Sequence, residues 1–197
     1  MGYRFALPQK PNDEILLAAI MADDQTAYRS VFEAYYDRLF RFALLITKSR
    51  ELSEEIVSDV FIALWRNRHA ASEIRNLKVY LYIAARNTAY NYCRKMGRIQ
   101  NVSLEELKME VREPFANPEQ VYVTKELNAR ISKAIEELPP RCKVVFKLVK
   151  EDGFTYREAA ELLGLSVGTI DNQLVIAIKR ISSSLFYRFT SSPKKKS

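Results

Sequence analysis

The chain is 197 residues long, 48% hydrophobic and 28% charged, a balance that supports packed cores and argues against a disordered chain. A formal net charge of +7 points toward a polyanionic partner, although surplus lysine also serves simply to solvate a surface. One histidine, His69, and two widely separated cysteines, Cys93 and Cys142, supply neither a metal-ligand set nor a nucleophile–base pair, so no catalytic residue, metal or cofactor is expected.

The first stretch, MGYRFALPQKPND, lacks the apolar core of a signal peptide. Gly2 is not followed by the Ser or Thr of a myristoylation signal. No run of 18 apolar residues occurs, so no membrane insertion is expected. A cytoplasmic, reducing location is expected instead, with both cysteines packed as small apolar groups. Pro8 and Pro11 discourage a helix over residues 1–11.

Asn12 or Asp13 can then cap a short helix reaching Met21, with Ile15, Leu16, Ala19 and Ile20 inward. Asp23 and Asp24 mark a break. A long helix follows over about 26–47, its apolar face formed by Val31, Phe32, Tyr35, Tyr36, Leu39, Phe42, Ala43 and Ile46. In 49–68, Ile56, Val57, Val60, Phe61, Leu64 and Trp65 make one stripe. Glu51, Glu54, Glu55, Ser58 and Asp59 make an acidic shoulder beside it, which spacing alone reads as a solvated face. Residues 69–73 read as a polar connection. The helix over 76–98 carries Arg86, Arg94, Lys95 and Arg98 with no acid from 86 onward. Asn87 and Asn91 lie among them, and Tyr82, Tyr90 and Tyr92 are interleaved. Such a pattern suits phosphate neutralisation and stacking on unpaired bases.

Composition shifts over 99–118. Pro114 and Pro118 flank a polar segment in which Glu105, Glu106, Glu110 and Glu113 outnumber Lys108 and Arg112. This reads as a flexible linker with at most one helical turn at 103–107. It separates a domain at 12–98 from a second at 119–189. In the second domain, Val123, Leu127, Ile131, Ala134 and Ile135 have helical spacing as far as Leu138. Pro140 suits the first position of a further helix carrying Val144, Val145, Phe146, Leu148 and Val149.

Residues 151–182, EDGFTYREAAELLGLSVGTIDNQLVIAIKRIS, read as helix, glycine turn and longer helix. Thr155 and Glu158 have capping-box spacing, and Ala159, Leu162 and Leu163 face inward. Gly164 fits a left-handed helix end. Ser166 caps the second helix, whose inward stripe is Val167, Ile170, Leu174, Ala177, Ile178, Ile181 and Leu185. At about 100° per residue, Thr169, Asn172, Gln173, Ile176, Lys179 and Arg180 fall on the opposite side, the layout of a helix-turn-helix entering a major groove. The 194–196 lysines end a basic tail. The whole reads as all-α, two small helical domains with a linker between them.

Two stretches resemble one family. LPPRCKVVFKLVKEDGFTYREAAELLGLSVGTIDNQLVIAIKRI is similar to region 4 of the sigma factors of bacterial RNA polymerase. FEAYYDRLFRFALLITKSRELSEEIVSDVFIALW and YLYIAARNTAYNYCRK are similar to their region 2. With these two regions alone, the chain resembles the extracytoplasmic-function group. The resemblance implies binding to core RNA polymerase, through the β′ clamp coiled coil and the β flap, and to promoter DNA. Glu54, Glu55, Ser58, Asp59, Ile62 and Trp65 would then form the polymerase face. Asn76, Arg86, Asn87, Tyr90, Asn91, Arg94, Lys95 and Arg98 would meet the −10 element, where flipping a base costs a few kcal/mol. Thr155, Tyr156, Ser166, Val167, Thr169, Asn172, Gln173, Ile176, Lys179 and Arg180 would read the −35 duplex. An amide at Asn172 or Gln173 suits adenine, and Ile176 suits a thymine methyl. Where relatives place basic residues, this chain has Asp171-Asn172-Gln173 and Val175-Ile176. The resemblance also implies an anti-sigma regulator, commonly membrane-bound. Two other readings use the same residues: a helix-turn-helix operator-binding regulator acting without polymerase, and a helical protein-interaction module.

Overall fold

A computed structural model describes residues 13–96 and 122–190, with side chains described over 129–185 in the second stretch. Among the described residues the regular structure is entirely helical, and the chain divides into two compact units. The expected linker at 99–118, with the boundaries at 98 and 119, lies outside the described residues, as do the 1–11 stretch and the lysine tail.

The first unit begins with α1, Asp13–Met21. Asp23 adopts a left-handed conformation, and Asp24 caps α2 (Gln25–Thr47) by accepting hydrogen bonds from the Thr26 and Ala27 amides. The Thr26 hydroxyl, donating to Asp24 Oδ1 at 2.6 Å, and then those two amides hold the Asp24 carboxyl below the ordinary carboxylate value. Helix α3 (Arg50–Arg66) is capped by Ser49, whose Oγ accepts from the Leu52 amide at 3.3 Å. Helix α4 (Leu77–Lys95) is capped by Asn76. Helix α2 packs on both α3 and α4, which also pack on each other. Val31, Leu39 and Ala43 from α2, Ile56 and Leu64 from α3, and Leu77, Leu81 and Ala85 from α4 fill the space between them. A buried hydroxyl pair, Thr47 with Ser53 at 2.8 Å, ties the α2–α3 corner.

Several expected faces turn differently. In α1 it is Leu17 that joins Ile20 in the core, while Ile15 is 65% exposed. Phe32 stands at the edge of its face, its ring 4.7 Å from that of Phe61. Tyr82 is fully enclosed against Phe42, with ring centroids 5.1 Å apart, so it offers no stacking surface to a base. The 69–73 connection is a 3₁₀ helix, Arg68–Glu73, that buries Ala71 and rests against α1.

The second unit contains α5 (Tyr122–Glu136), α6 (Pro140–Phe146), α7 (Tyr156–Leu163) and α8 (Val167–Thr190). Pro140 occupies the start of α6, where no amide hydrogen is needed. The chain continues from α6 through a π-helical turn, Lys147–Glu151, to Gly153 at φ +67°. Helices α5, α6 and α7 all pack against α8. Ile135, Leu138, Cys142 and Ala177 form a shared cluster flanked by Ile131, Phe146 and Ile181. Cys142 and Cys93 are both buried thiols.

Candidate nucleic-acid and polymerase interfaces

In α4, the Asn76 side-chain oxygen accepts from the Val79 amide at 3.0 Å, so this candidate also starts the helix. Three turns on, the Arg86 guanidinium donates to Asn87 Oδ1 at 2.9 and 3.2 Å, bringing two candidates into one polar group. Asn87, Asn91, Arg94 and Lys95 are exposed. Tyr90 is half-buried, and that burial pushes its phenol pKa up. Arg98 lies outside the described residues.

Tyr92 does something different from base stacking. Its hydroxyl donates to Glu55 Oε1 at 2.9 Å and to Asp59 Oδ2 at 3.0 Å, joining α4 to the acidic shoulder of α3. Those two acceptors push the phenol well above its ordinary range, so it remains a donor. Lys95 lies 5.9 Å from the centre of the same ring.

Elsewhere on that shoulder, Glu54 pairs with Arg50 at 3.0 Å, and Ser58 donates to the Glu54 carbonyl at 2.8 Å. Ile62 is 48% exposed. It lines an open groove of about 570 Å³ with Trp65, Tyr28, Gln25, Arg29 and Arg66. The Trp65 ring contacts Tyr28, with centroids 4.9 Å apart, and the Arg68 guanidinium at 4.6 Å. The contribution of Tyr28 was hidden in the sequence, because its partners lie more than thirty residues away.

The helix-turn-helix is built by local chemistry. Thr155 Oγ1 accepts from the Glu158 amide at 3.2 Å while Glu158 Oε2 accepts from the Thr155 amide at 2.8 Å, closing the capping box. Gly164 takes φ +67° and ends α7. Ser166 Oγ accepts from the Thr169 amide at 3.0 Å and starts α8. Ile170, Leu174 and Ala177 are buried, as the stripe requires. Val167 and Ile178 are not: they are 47% and 43% exposed. Thr155, Tyr156, Ser166, Asn172, Ile176, Lys179 and Arg180 are exposed, so α8 presents a continuous outward face. Thr169 and Gln173 are half-buried on its margin. Gln173 Oε1 accepts from the Cys142 thiol at 3.0 Å. That bond turns the amide toward the core, leaving Asn172 as the outward amide of this pair.

One unit is basic along the exposed face of α4 and the other carries a helix-turn-helix, the layout of a helical DNA-binding protein. Residues 31–99 match the family described as Sigma-70 region 2, and 128–181 match Sigma-70, region 4. The chain is 26% identical over 170 residues to the ECF RNA polymerase sigma factor SigE of Mycolicibacterium smegmatis, covering 84% of this chain and 66% of that protein. It is 23% identical over 186 residues to the ECF RNA polymerase sigma-E factor of Escherichia coli K12, covering 91% and 97%. Among solved structures, the sigma factor RpoE in complex with the anti-sigma factor NepR from Bartonella quintana gives a TM-score of 0.57 at 23% identity over 81% of this chain and 96% of the other. CnrH in complex with the cytosolic domain of CnrY gives 0.55 at 19% identity over 91% and 99%.

The chain belongs to the sigma factors of bacterial RNA polymerase, in the extracytoplasmic-function group. It directs promoter-specific transcription initiation as a DNA-binding initiation factor. Neither the operator-binding regulator nor the interaction module accounts for both matched regions.

Proposed function

We propose that the work of initiation is divided among three surfaces and that the chain itself catalyses nothing. Helix α3 docks on the β′ clamp coiled coil of core polymerase through Glu54, Glu55, Ser58, Asp59, Ile62 and Trp65. Helix α4 holds the opened −10 strand with Arg86, Asn87, Tyr90, Asn91, Arg94 and Lys95, phosphates being neutralised by the cations and bases met by the amides. Helix α8 lies in the −35 major groove, with Asn172 toward adenine and Ile176 toward a thymine methyl. The second unit additionally meets the β flap. The domains are 12–98 and 119–189, with a linker at 99–118, and the protein works in the cytoplasm.

The observation that carries this reading is the outward face of α8, where Asn172, Ile176, Lys179 and Arg180 are exposed while Ile170, Leu174 and Ala177 are buried. An anti-sigma protein completes the scheme. Its support is that both structural neighbours above are complexes with, respectively, an anti-sigma factor and a partner's cytosolic domain.

The test is transcription by purified bacterial core polymerase, with and without this protein, from a promoter pool randomised upstream. Discrete start sites that require the protein, with two shared upstream elements, are the expected outcome. Transcripts lacking a shared −35 element would remove α8 from the scheme.

A further inference from the structure

The second unit holds two glycines close together, and the fold explains only one of them. Gly164 has φ +67°, a conformation that side chains rarely adopt. Gly168 does not share it: its φ lies outside the left-handed region, and it sits in the first turn of α8. A Cβ built there would meet only Ser166 Oγ at 3.9 Å, an ordinary van der Waals distance. No neighbour within the unit needs the missing side chain. Glycine is nevertheless unfavourable in a helix relative to alanine, because it leaves the unfolded chain more freedom to lose.

The position explains what the packing does not. Gly168 is exposed, four residues before Asn172 and eight before Ile176, so all three follow one another along the outward face. At about 100° per residue, the buried line through Ile170, Leu174 and Ala177 lies nearly opposite. A residue lacking a side chain at the leading end of that face lets the helix backbone come close to whatever lies against it.

We propose that Gly168 is a clearance position for the −35 duplex: its bare Cα lets the start of α8 seat against the DNA at the depth that brings Asn172 and Ile176 to the base edges. This rests on the reading of α8 as the −35 helix. A Cβ at 168 holds the helix off the groove and weakens every contact beyond it, without touching the fold.

The experiment compares wild type with Gly168→Ala, each with core polymerase, on promoters that the wild type selects from a pool randomised upstream. Thermal unfolding and core-polymerase binding are measured on the same preparations. The expected result is a Tm equal to or above that of wild type, unchanged core binding, and roughly tenfold or greater loss of transcription from −35-dependent promoters, the scale of one disrupted base-pair position. Transcription within twofold of wild type on those promoters overturns the proposal. Should the wild type itself select no −35 element, the reading of α8 falls, and the clearance role with it. A lowered Tm for Gly168→Ala would make the glycine structural and would also overturn the proposal.

Discussion

Single residues set the geometry of the helix-turn-helix unit, and their contributions can be separated. Gly164 has open space where a Cβ would stand, so its requirement is purely conformational. Gly164→Ala is therefore expected to destabilise the protein by about 1–2 kcal/mol, the cost of a left-handed L-residue. Gly164→Asn, although larger, should lose less, because asparagine tolerates that conformation. Thr155→Ala removes the acceptor for the Glu158 amide and should cost about 1 kcal/mol. Denaturant midpoints check all three, and an asparagine variant weaker than the alanine one would show that steric fit rather than backbone conformation governs the turn. These features were legible in the sequence because caps and turns are local. Tyr82, Tyr92 and Gln173 were not: whether a tyrosine is enclosed, bridging or free depends on which helix packs across it. Nothing near Gln173 in the chain announces Cys142, thirty-one residues away, as its partner.

At the scale of the element, Glu136 joins three segments. It ends α5, its Oε2 meets Lys143 of α6 at 3.1 Å, and its Oε1 meets Lys147 of the π turn at 3.0 Å. Lys143 is only 1% exposed and also donates to the Glu136 carbonyl. Burial alone would raise the Glu136 pKa, but the two lysines outweigh it and hold the carboxyl below its ordinary value of 4.5. A carboxylate with a depressed folded-state pKa stabilises fully above its unfolded value and loses that contribution as pH falls through the folded one. Glu136→Gln should therefore lower stability by roughly 1.5–3 kcal/mol at neutral pH, the range for hydrogen bonds to charged groups. The difference from wild type should shrink as pH drops below about 4.5. Adding Lys143→Met should recover part of the loss, since the buried ammonium is then gone. Equal midpoints for wild type and Glu136→Gln across that range would contradict the argument. The helices themselves were legible from apolar spacing, yet a buried lysine is invisible to any pattern that assigns charge to the surface. The same limit explains Ile15, Phe32, Val167 and Ile178. Helical spacing gives a face about a third of the circumference wide, and only the partner helices decide which edge of it is covered.

At the scale of the whole molecule, a sigma factor must hold polymerase and DNA with different surfaces, and the proposed division predicts how variants combine. Asp59→Lys reverses a charge on the acidic shoulder of α3 while leaving Glu55 as the acceptor for Tyr92. It should weaken retention of core polymerase, and transcription should recover when core is supplied in excess. Asn172→Ala leaves the core of its unit intact, because the side chain is exposed. It should retain core binding yet lose transcription from −35-dependent promoters by roughly 5–100-fold, the cost of one lost bidentate base contact. Excess core should not restore it. At limiting core, the double variant should transcribe no better than the worse of the two. At saturating core it should match Asn172→Ala alone, because the α3 defect acts only on assembly. Transcription assays over a core titration, read beside direct core-binding measurements, check the whole set. If excess core also rescued Asn172→Ala, the exposed amide of α8 would belong to polymerase rather than to the promoter.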